Sequence, residues 1–589
     1  MDPISLAGLS LGVTSLAFDM FAGCVKGFVL LSTTQRFDRD SSALSCMLSL
    51  QELQLFEWAS RVGLLADPPV LEKRLNEPAV CAVLRQLKDL LLDTEKLKSR
   101  YKMSFQEQSS TLDRLDSTQD LITQTISREK RAAVLERAEH LNGSVQLHKR
   151  LWWAAADKKK FEELVEQIKA FIRELWNLLD PLRQDEMTQN LQTMLSHVIS
   201  VSSKIDDLTS LQAALQMQAL PPDQREGRQS LASAARMKGL FISSQESQQY
   251  TSKDDKPSTW EQPRALPPLN LNIDLSLLTS FKPLKNSPDL GTALLSERPV
   301  FVEWKTLPAS PSLRSKILSR AQSLATLLSL PKPHPLPSLH CEGIIHQSAA
   351  PNSAPQRIAF VFTLSASYAL NLPINSLRNL FSLTPSVTSR IALALKLVQT
   401  LHWFHTAGWL HKDICSSHIL LWPNEGEPIL SSPLFAGFAF ARGDDPCAIS
   451  EQPSSDAERD IYRHPDAMGE PSTSFTKDKD VYALGCVLLE IGEWRSLRSL
   501  VAGFVDVGKG GGKEVQMVQL ARVKGHLLDQ GPKGGMRMLG FRMGEVYERV
   551  VRMMLSGEIP EEWRAGDEGE ARRLTVLDVA IRRLRTCVI

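Results

Sequence analysis

The chain of 589 residues has no paired cysteine spacing: its eight cysteines, at 24, 46, 81, 341, 415, 447, 486 and 587, are scattered, with no CxxC among them. That argues against a zinc site or a disulfide framework and is most simply read as a protein of a reducing compartment, the cytosol. Charge of one sign is also lacking. Lys and Arg number 68 against 67 Asp and Glu, a formal net charge of +1, so no global field favours nucleic acid as a partner. No 20–50-residue repeat and no Gln/Asn-rich tail is present. Asp2 occupies the place of a positive n-region and no clear cleavage site follows, which reads against a signal peptide. Asp19 and Lys26 interrupt the opening apolar stretch, which reads against a standard transmembrane helix.

What is present divides into three blocks. Residues 1–220 hold few Gly or Pro and read as an all-α helical bundle. Phe161, Leu164, Val165, Ile168, Phe171, Leu175 and Leu178 recur at helical spacing, and Leu44, Leu48, Leu55 and Trp58, then Leu84, Leu87, Leu90 and Leu91, suggest further helices. Residues 221–290, polar and Pro/Ser-rich, read as a flexible linker. Residues 291–589 mix short β-like runs with helices and read as an α+β domain.

The first thirty residues carry a pattern of their own. Ser5, Gly8, Gly12, Ser15, Asp19, Gly23 and Lys26 form one narrow stripe of small or polar side chains on a helix that is otherwise almost wholly apolar. Leu6, Leu9, Val13 and Leu16 lie elsewhere on its surface. One reading is a buried first helix. The other is a helix that docks in the bundle and can leave it for a membrane, with Leu6, Gly8, Leu9, Gly12, Val13 and Leu16 as its contact residues.

The segments GLSLGVTSLAFDMFAGCVKGF, RFDRD, LQLFEWASRVGL and LWWAAADKKKFEELVEQIKAFIRELWNLL resemble the fungal HeLo domain, the N-terminal helical bundle of prion-linked heterokaryon-incompatibility proteins. The resemblance covers residues 1–215. It implies a membrane-targeting cell-death executioner whose first helix is the active segment.

A second resemblance runs through the C-terminal half. VFVEWK (300–305) is similar to a protein-kinase strand that ends in a phosphate-holding lysine, here Lys305. WLHKDICSSHILLW resembles the kinase catalytic loop, with His411 and Asp413 in place and Lys412 for the usual arginine. His418 stands at the metal-binding asparagine. AGFAFAR places Gly437 where the magnesium-binding aspartate belongs. Pro465 matches the end of the activation segment, and Asp480, in DKDVYALGCVLLEIGEW, matches the aspartate that braces the catalytic loop. The glycine-rich loop is missing: GTALLSERP offers only Gly291. Between Thr306 and Cys341 there is no acid to pair with Lys305. GKGGGK (508–513) lacks phosphate-loop spacing.

Of the parts phosphoryl transfer needs, only Lys305 and the remnant base Asp413 are left. The resemblance therefore implies a bilobal pseudokinase over 291–589 that requires no cofactor and retains at most weak ATP binding, with no metal. The whole arrangement is similar to the animal mixed-lineage-kinase-like cell-death effector. It implies a cytoplasmic effector that answers an upstream signalling protein, self-oligomerises and moves to a membrane. The rivals are a divergent active serine/threonine kinase and a non-catalytic signalling adaptor.

Overall fold

The computed structural model describes residues 3–32, 39–107, 128–142, 151–217, 222–250, 271–329, 340–347, 356–364, 374–421, 430–445, 457–468, 474–502, 520–564 and 574–587, single positions inside these ranges excepted. It divides into two compact units, Met1–Gly239 and Leu240–Ile589.

The first unit is built from α1 (Pro3–Ser32), α2 (Arg39–Arg61), α3 (Glu77–Leu92), α4 (Thr94–Ser99), α5 (Arg128–Asn142), α6 (Lys158–Asn177), α7 (Pro181–Val201), α8 (Ile205–Met217) and the start of α9 (Pro222–Tyr250). Local chemistry sets the starts. Asn76 accepts the N–H of Ala79 with Pro78 in the first turn, Asp157 accepts those of Lys159 and Lys160, and Asp180 accepts that of Arg183 just before Pro181. The α2 helix is the centre: it is buried along almost its whole length and packs against α6 and α8. Its acids are met inside the bundle. Arg131 grips Glu52 through two hydrogen bonds, at 2.7 and 2.6 Å, and Asn190 donates to Glu57 at 2.9 Å. The α6 face falls close to the expected one, except that Ile172 is buried where Phe171 was expected and Phe171 is only half-buried.

Two expectations are corrected. The first unit is not wholly helical: β1 (Met103–Glu107) and β2 (Leu151–Ala155) form an antiparallel ribbon with Phe105 opposite Trp153. The aromatic run LWW favours a pleated strand and is too short to show helical periodicity. Nor is 221–290 a linker throughout. The α9 helix occupies Pro222–Tyr250, and its Leu231, Ala235 and Met237 are buried. Strands begin at Asn272. Composition averaged over the whole stretch concealed these short apolar patterns; only residues 251–270 of it, with 221 and 286, lie outside the described residues.

The second unit mixes helices and sheets. Strands β3 (Asn272–Ile273), β4 (Leu278–Leu284), β5 (Ser287–Leu295), β6 (Arg298–Thr306), β7 (Cys341–Gln347) and β8 (Arg357–Thr363) form one sheet in the order β3-β7-β8-β6-β5-β4, antiparallel except for β3 on β7. The period of two on β6 sends Val300, Val302 and Trp304 into a core with Ala293, Ile345, Ala359 and Val361, and so places Phe301, Glu303 and Lys305 on the opposite face. Helix α10 (Pro311–Ser329) packs on β7. Beyond the sheet, α11 (Val387–Thr406), α12 (Lys477–Glu493, buried from Lys479 onward), α13 (Glu545–Ser556) and α14 (Val576–Arg585) pack together. The 508–513 glycine run lies outside the described residues.

In the first unit, α1 lies along α3. Gly27 faces Leu91 so closely that a Cβ would overlap that of leucine, and Gly23 lies on the Lys88 stem. The substitution Gly27→Val should therefore destabilise the chain by ~1–3 kcal/mol in a thermal melt. Ser15→Ala, at an exposed position, should leave the melt unchanged.

Candidate functional site

The second unit holds a cleft of about 630 Å³ whose lining includes Lys305, Asp413, His418, Gly437, Ala439 and Arg459. Its floor is the loop that follows α11. Asp480, on α12 and fully buried, receives the N–H groups of His411 and Lys412 on its two oxygens at 2.8 Å each, and His405 Nε2 lies 3.2 Å away. Lys412 sits at φ +70, a backbone conformation costly for a residue with a Cβ. The two bonds to Asp480 hold the chain in it.

A second sealed carboxylate anchors the other end of this loop. Glu490, about three turns further along α12, accepts from Ser416 Oγ (3.1 Å), Tyr462 OH (2.8 Å) and Leu497 N–H (2.6 Å). Its partners are neutral, and burial pushes its carboxyl up to about 7.

Over the loop lies the turn 436–441. Glu303, 1% exposed, reaches it from β6 and accepts the N–H groups of Gly437 (3.0 Å) and Ala439 (2.6 Å). Burial raises its carboxyl; the charge of His418 and these N–H groups act the other way. Lys305, two residues on, donates to the Ala439 carbonyl at 2.5 Å and lies 4.7 Å from the centre of the Phe440 ring. The strand thus grips both the donors and an acceptor of one turn. Glu303 carries no motif, yet an acid in the middle of an apolar strand, two residues from Lys305 and hence on its face, is a readable signal.

Gly437 and His418 form a single unit. Gly437 has φ +85, and a Cβ there would enter the His418 ring. That ring is buried, with Nδ1 2.7 Å from the Asp413 carbonyl and 3.6 Å from its carboxylate. Burial pulls the imidazole down, but Cys415 and Asp413 outweigh it and push it up to about 10. Asp413 also meets Arg459 at 3.3 Å. His411 packs at a tilt against Phe438, ring centres 5.0 Å apart, and burial holds it down to about 4. Pro465 opens a short turn, Pro465–Ala467, and is not among the residues that line the cleft. The cleft therefore contains an internal cation between two carboxylates, and a lysine already engaged by backbone.

In the first unit the candidate is α1. The side chains of Leu6, Gly8, Leu9, Gly12 and Val13 lie outside the described residues; the backbone there is helical. Leu16 is 42% exposed, whereas Phe18, Phe21, Val25, Phe28 and Leu31 are buried. Thr14–Leu31 is long and apolar enough to cross a membrane even with Asp19 and Lys26 in it, and 56% of it is buried in this fold.

The model of the HeLo family, described as prion-inhibition and propagation, matches residues 8–211. Residues 8–211 are a HeLo-type domain. They contain nearly all of α1 and close in α8. Heterokaryon incompatibility protein S of Podospora anserina is 24% identical over 177 residues, 30% of this chain and 58% of that protein. The chain thus spans little more than half the length of this relative.

If His418 fills the space a side chain at 437 would need, the two positions must be coupled. Gly437→Ala should cost ~1–3 kcal/mol from the clash, on top of the strain of a Cβ at φ +85, and only the clash part should be relieved in a His418→Gly background; a double-mutant cycle by chemical denaturation measures the difference. The Glu490 carboxyl titrates higher folded than unfolded. The folded state therefore holds the proton between about pH 4.5 and 7, and stability falls as pH rises through that window. Glu490→Gln should flatten that slope in melts taken across it.

Proposed function

We propose that the chain is a regulated effector of fungal incompatibility or cell death. In this reading its HeLo-type domain attacks membranes and its C-terminal unit, a pseudokinase-like module, restrains that domain until an upstream protein signals. The observation that carries the reading is the HeLo match over residues 8–211. A relative named for heterokaryon incompatibility and a first helix apolar enough to span a bilayer agree with it. On release, α1 enters the membrane and copies of the domain assemble; before release the protein is cytoplasmic.

The pseudokinase-like part of the proposal draws its support from the cleft. The Asp480-held loop and the lysine on the β6 strand suit a kinase-like scaffold. Residues 418 and 437 offer an imidazole and a bare backbone where hard Mg²⁺ would call for oxygen ligands. ATP binding is accordingly weak and indifferent to magnesium, and the chain requires no cofactor.

Release of a trapped dye from lipid vesicles tests the proposal. Residues 1–239 should cause leakage, and the same fragment carrying Leu9→Lys should not, because a charge placed in the bilayer centre costs roughly 2.5–3.5 kcal/mol. The full chain should leak less than the fragment. A fragment that is helical by circular dichroism yet leaves vesicles sealed removes the membrane role and returns the adaptor reading. Full chain and fragment leaking alike would remove the restraint alone. Steady phosphate transfer lost in Asp413→Ala would reinstate an active kinase.

A further inference from the structure

Helix α9 contributes to both units. It runs unbroken from Pro222 to Tyr250; its residues up to Gly239 belong to the first unit and those from Leu240 to the second. In the first unit, Gly227 lies against the side chain of Gln192 on α7. In the second, Phe241 and Ile242 are buried. Phe241 sits on a ribbon of two short antiparallel strands, β9 (Trp409–Leu410) and β10 (Arg442–Gly443), in which Trp409 stands opposite Gly443. The Phe241 ring meets both members of that pair. Its centre is 5.8 Å from that of Trp409, edge to face, and a Cβ at Gly443 would overlap its edge. A glycine opposite an aromatic leaves a gap on a ribbon, and here a ring from α9 fills it.

Both backbone segments of the cleft issue from this ribbon. His411 and Lys412, whose N–H groups Asp480 holds, follow β9 directly. The turn 436–441, gripped by Glu303 and Lys305, runs directly into β10. Arg442 is buried and ties β10 down, donating to the carbonyls of Gly443 (2.9 Å), Asp445 (2.7 Å) and Phe475 (3.1 Å). The Asp444 N–H closes on the Gly408 carbonyl at 2.8 Å. With so little slack, a shift in either segment moves the floor on which Phe241 rests. Trp409 also keeps its indole N–H sealed, with no acceptor among the described residues. That cost belongs to the closed state, and movement of the ribbon can relieve it.

We infer that the β9–β10 ribbon is the docking seat by which the C-terminal unit holds α9, and that Phe241 is the latch. A change in the loop or the turn of the cleft ejects the ring, and α9 carries that release to the first unit. The partner of the seat is thus a segment of this same chain. What release then accomplishes rests on the function proposed above; the coupling itself does not.

Hydrogen–deuterium exchange on the full chain tests the coupling. Phe241→Ala, on α9, should raise exchange about tenfold or more in residues 409–413. Gly443→Ala, on the ribbon, should raise it by as much in residues 222–239, with α12 unchanged in both. The two substitutions act on one contact, so the double variant should exchange no faster than Phe241→Ala alone. If Phe241→Ala does not fold, Gly443→Ala carries the test, and adding Phe241→Leu, whose smaller side chain makes room for the new methyl, should restore protection. Exchange in residues 222–239 that Gly443→Ala leaves unchanged, or a Gly443→Ala effect as large without the Phe241 ring as with it, overturns the latch. Either single variant should also leak vesicles more than the wild-type chain. Raised exchange with vesicles that stay sealed leaves the latch standing and removes the membrane-attack reading.

Discussion

A carboxylate closed off from water is tolerable only where hydrogen-bond donors receive it, and the C-terminal unit is organised around three that are. Asp480 takes two consecutive N–H groups and so holds Lys412 in a backbone conformation it would otherwise leave. Glu490 takes a hydroxyl from the same loop, a phenol from beyond it and an N–H from Leu497, past the end of its own helix. Glu303 takes two N–H groups of the turn above. Two of these acids share α12, and the third comes from the sheet. The loop is thereby tied to the helical layer from below, and the turn to the strand from above. Removing any of these acids leaves several buried donors unsatisfied at once, so the cleft's shape depends on them collectively.

The same bookkeeping explains why His418 and Gly437 belong together. A histidine ring in the cleft needs room, which a residue without a Cβ supplies, and its charge needs anions, which Asp413 and Glu303 supply. The imidazolium thus sits among carboxylates as a bound cation would. Because it is covalently part of the chain, it cannot leave, and the arrangement favours a fixed brace over an exchangeable site. Lys305 points to the same conclusion: its ammonium is committed to the Ala439 carbonyl and the Phe440 ring.

Much of this was legible in the residues, and the remainder failed for identifiable reasons. The α6 helix and the loop around Asp413 stand out because each is set by a dense local pattern: apolar residues at helical spacing in one, a run of specific residue types in order in the other. Asp480 lies 67 positions from Asp413 and is found only because its own helix is distinctive. Glu303 escaped because its partners are backbone groups more than a hundred residues away, which leave no trace in composition. The ribbon of β1 and β2 escaped for a related reason: each strand is five residues long and their pairing spans some fifty positions. The helix from Pro222 was lost inside a stretch whose average is polar, although Leu231, Ala234 and Ala235 follow the spacing of a buried face. Long-range pairing and short elements in biased segments are where sequence reading runs out of signal.

The docked state of α1 bears on how a bundle could ever surrender it. Both the interior of the bundle and a bilayer are apolar, so moving Phe18, Phe21, Val25 and Phe28 from one to the other changes the hydrophobic term little. What differs is packing and charge. In the bundle, Gly23 and Gly27 admit the Lys88 stem and Leu91 at close range, contacts that lipid tails replace poorly. In a bilayer, Asp19 and Lys26 each cost roughly 2.5–3.5 kcal/mol near the centre. Part of the Asp19 cost is already present in the docked helix, whose Oδ1 is sealed and has no partner. A single helix therefore gains little by leaving. Several copies together would gain more in the proposed membrane role, because Gly23 and Gly27, which admit α3, could admit another α1, and Asp19 of one helix could meet Lys26 of the next away from lipid. In the membrane role proposed for α1, assembly is what would make insertion favourable, and a restraint would need only to keep the copies apart.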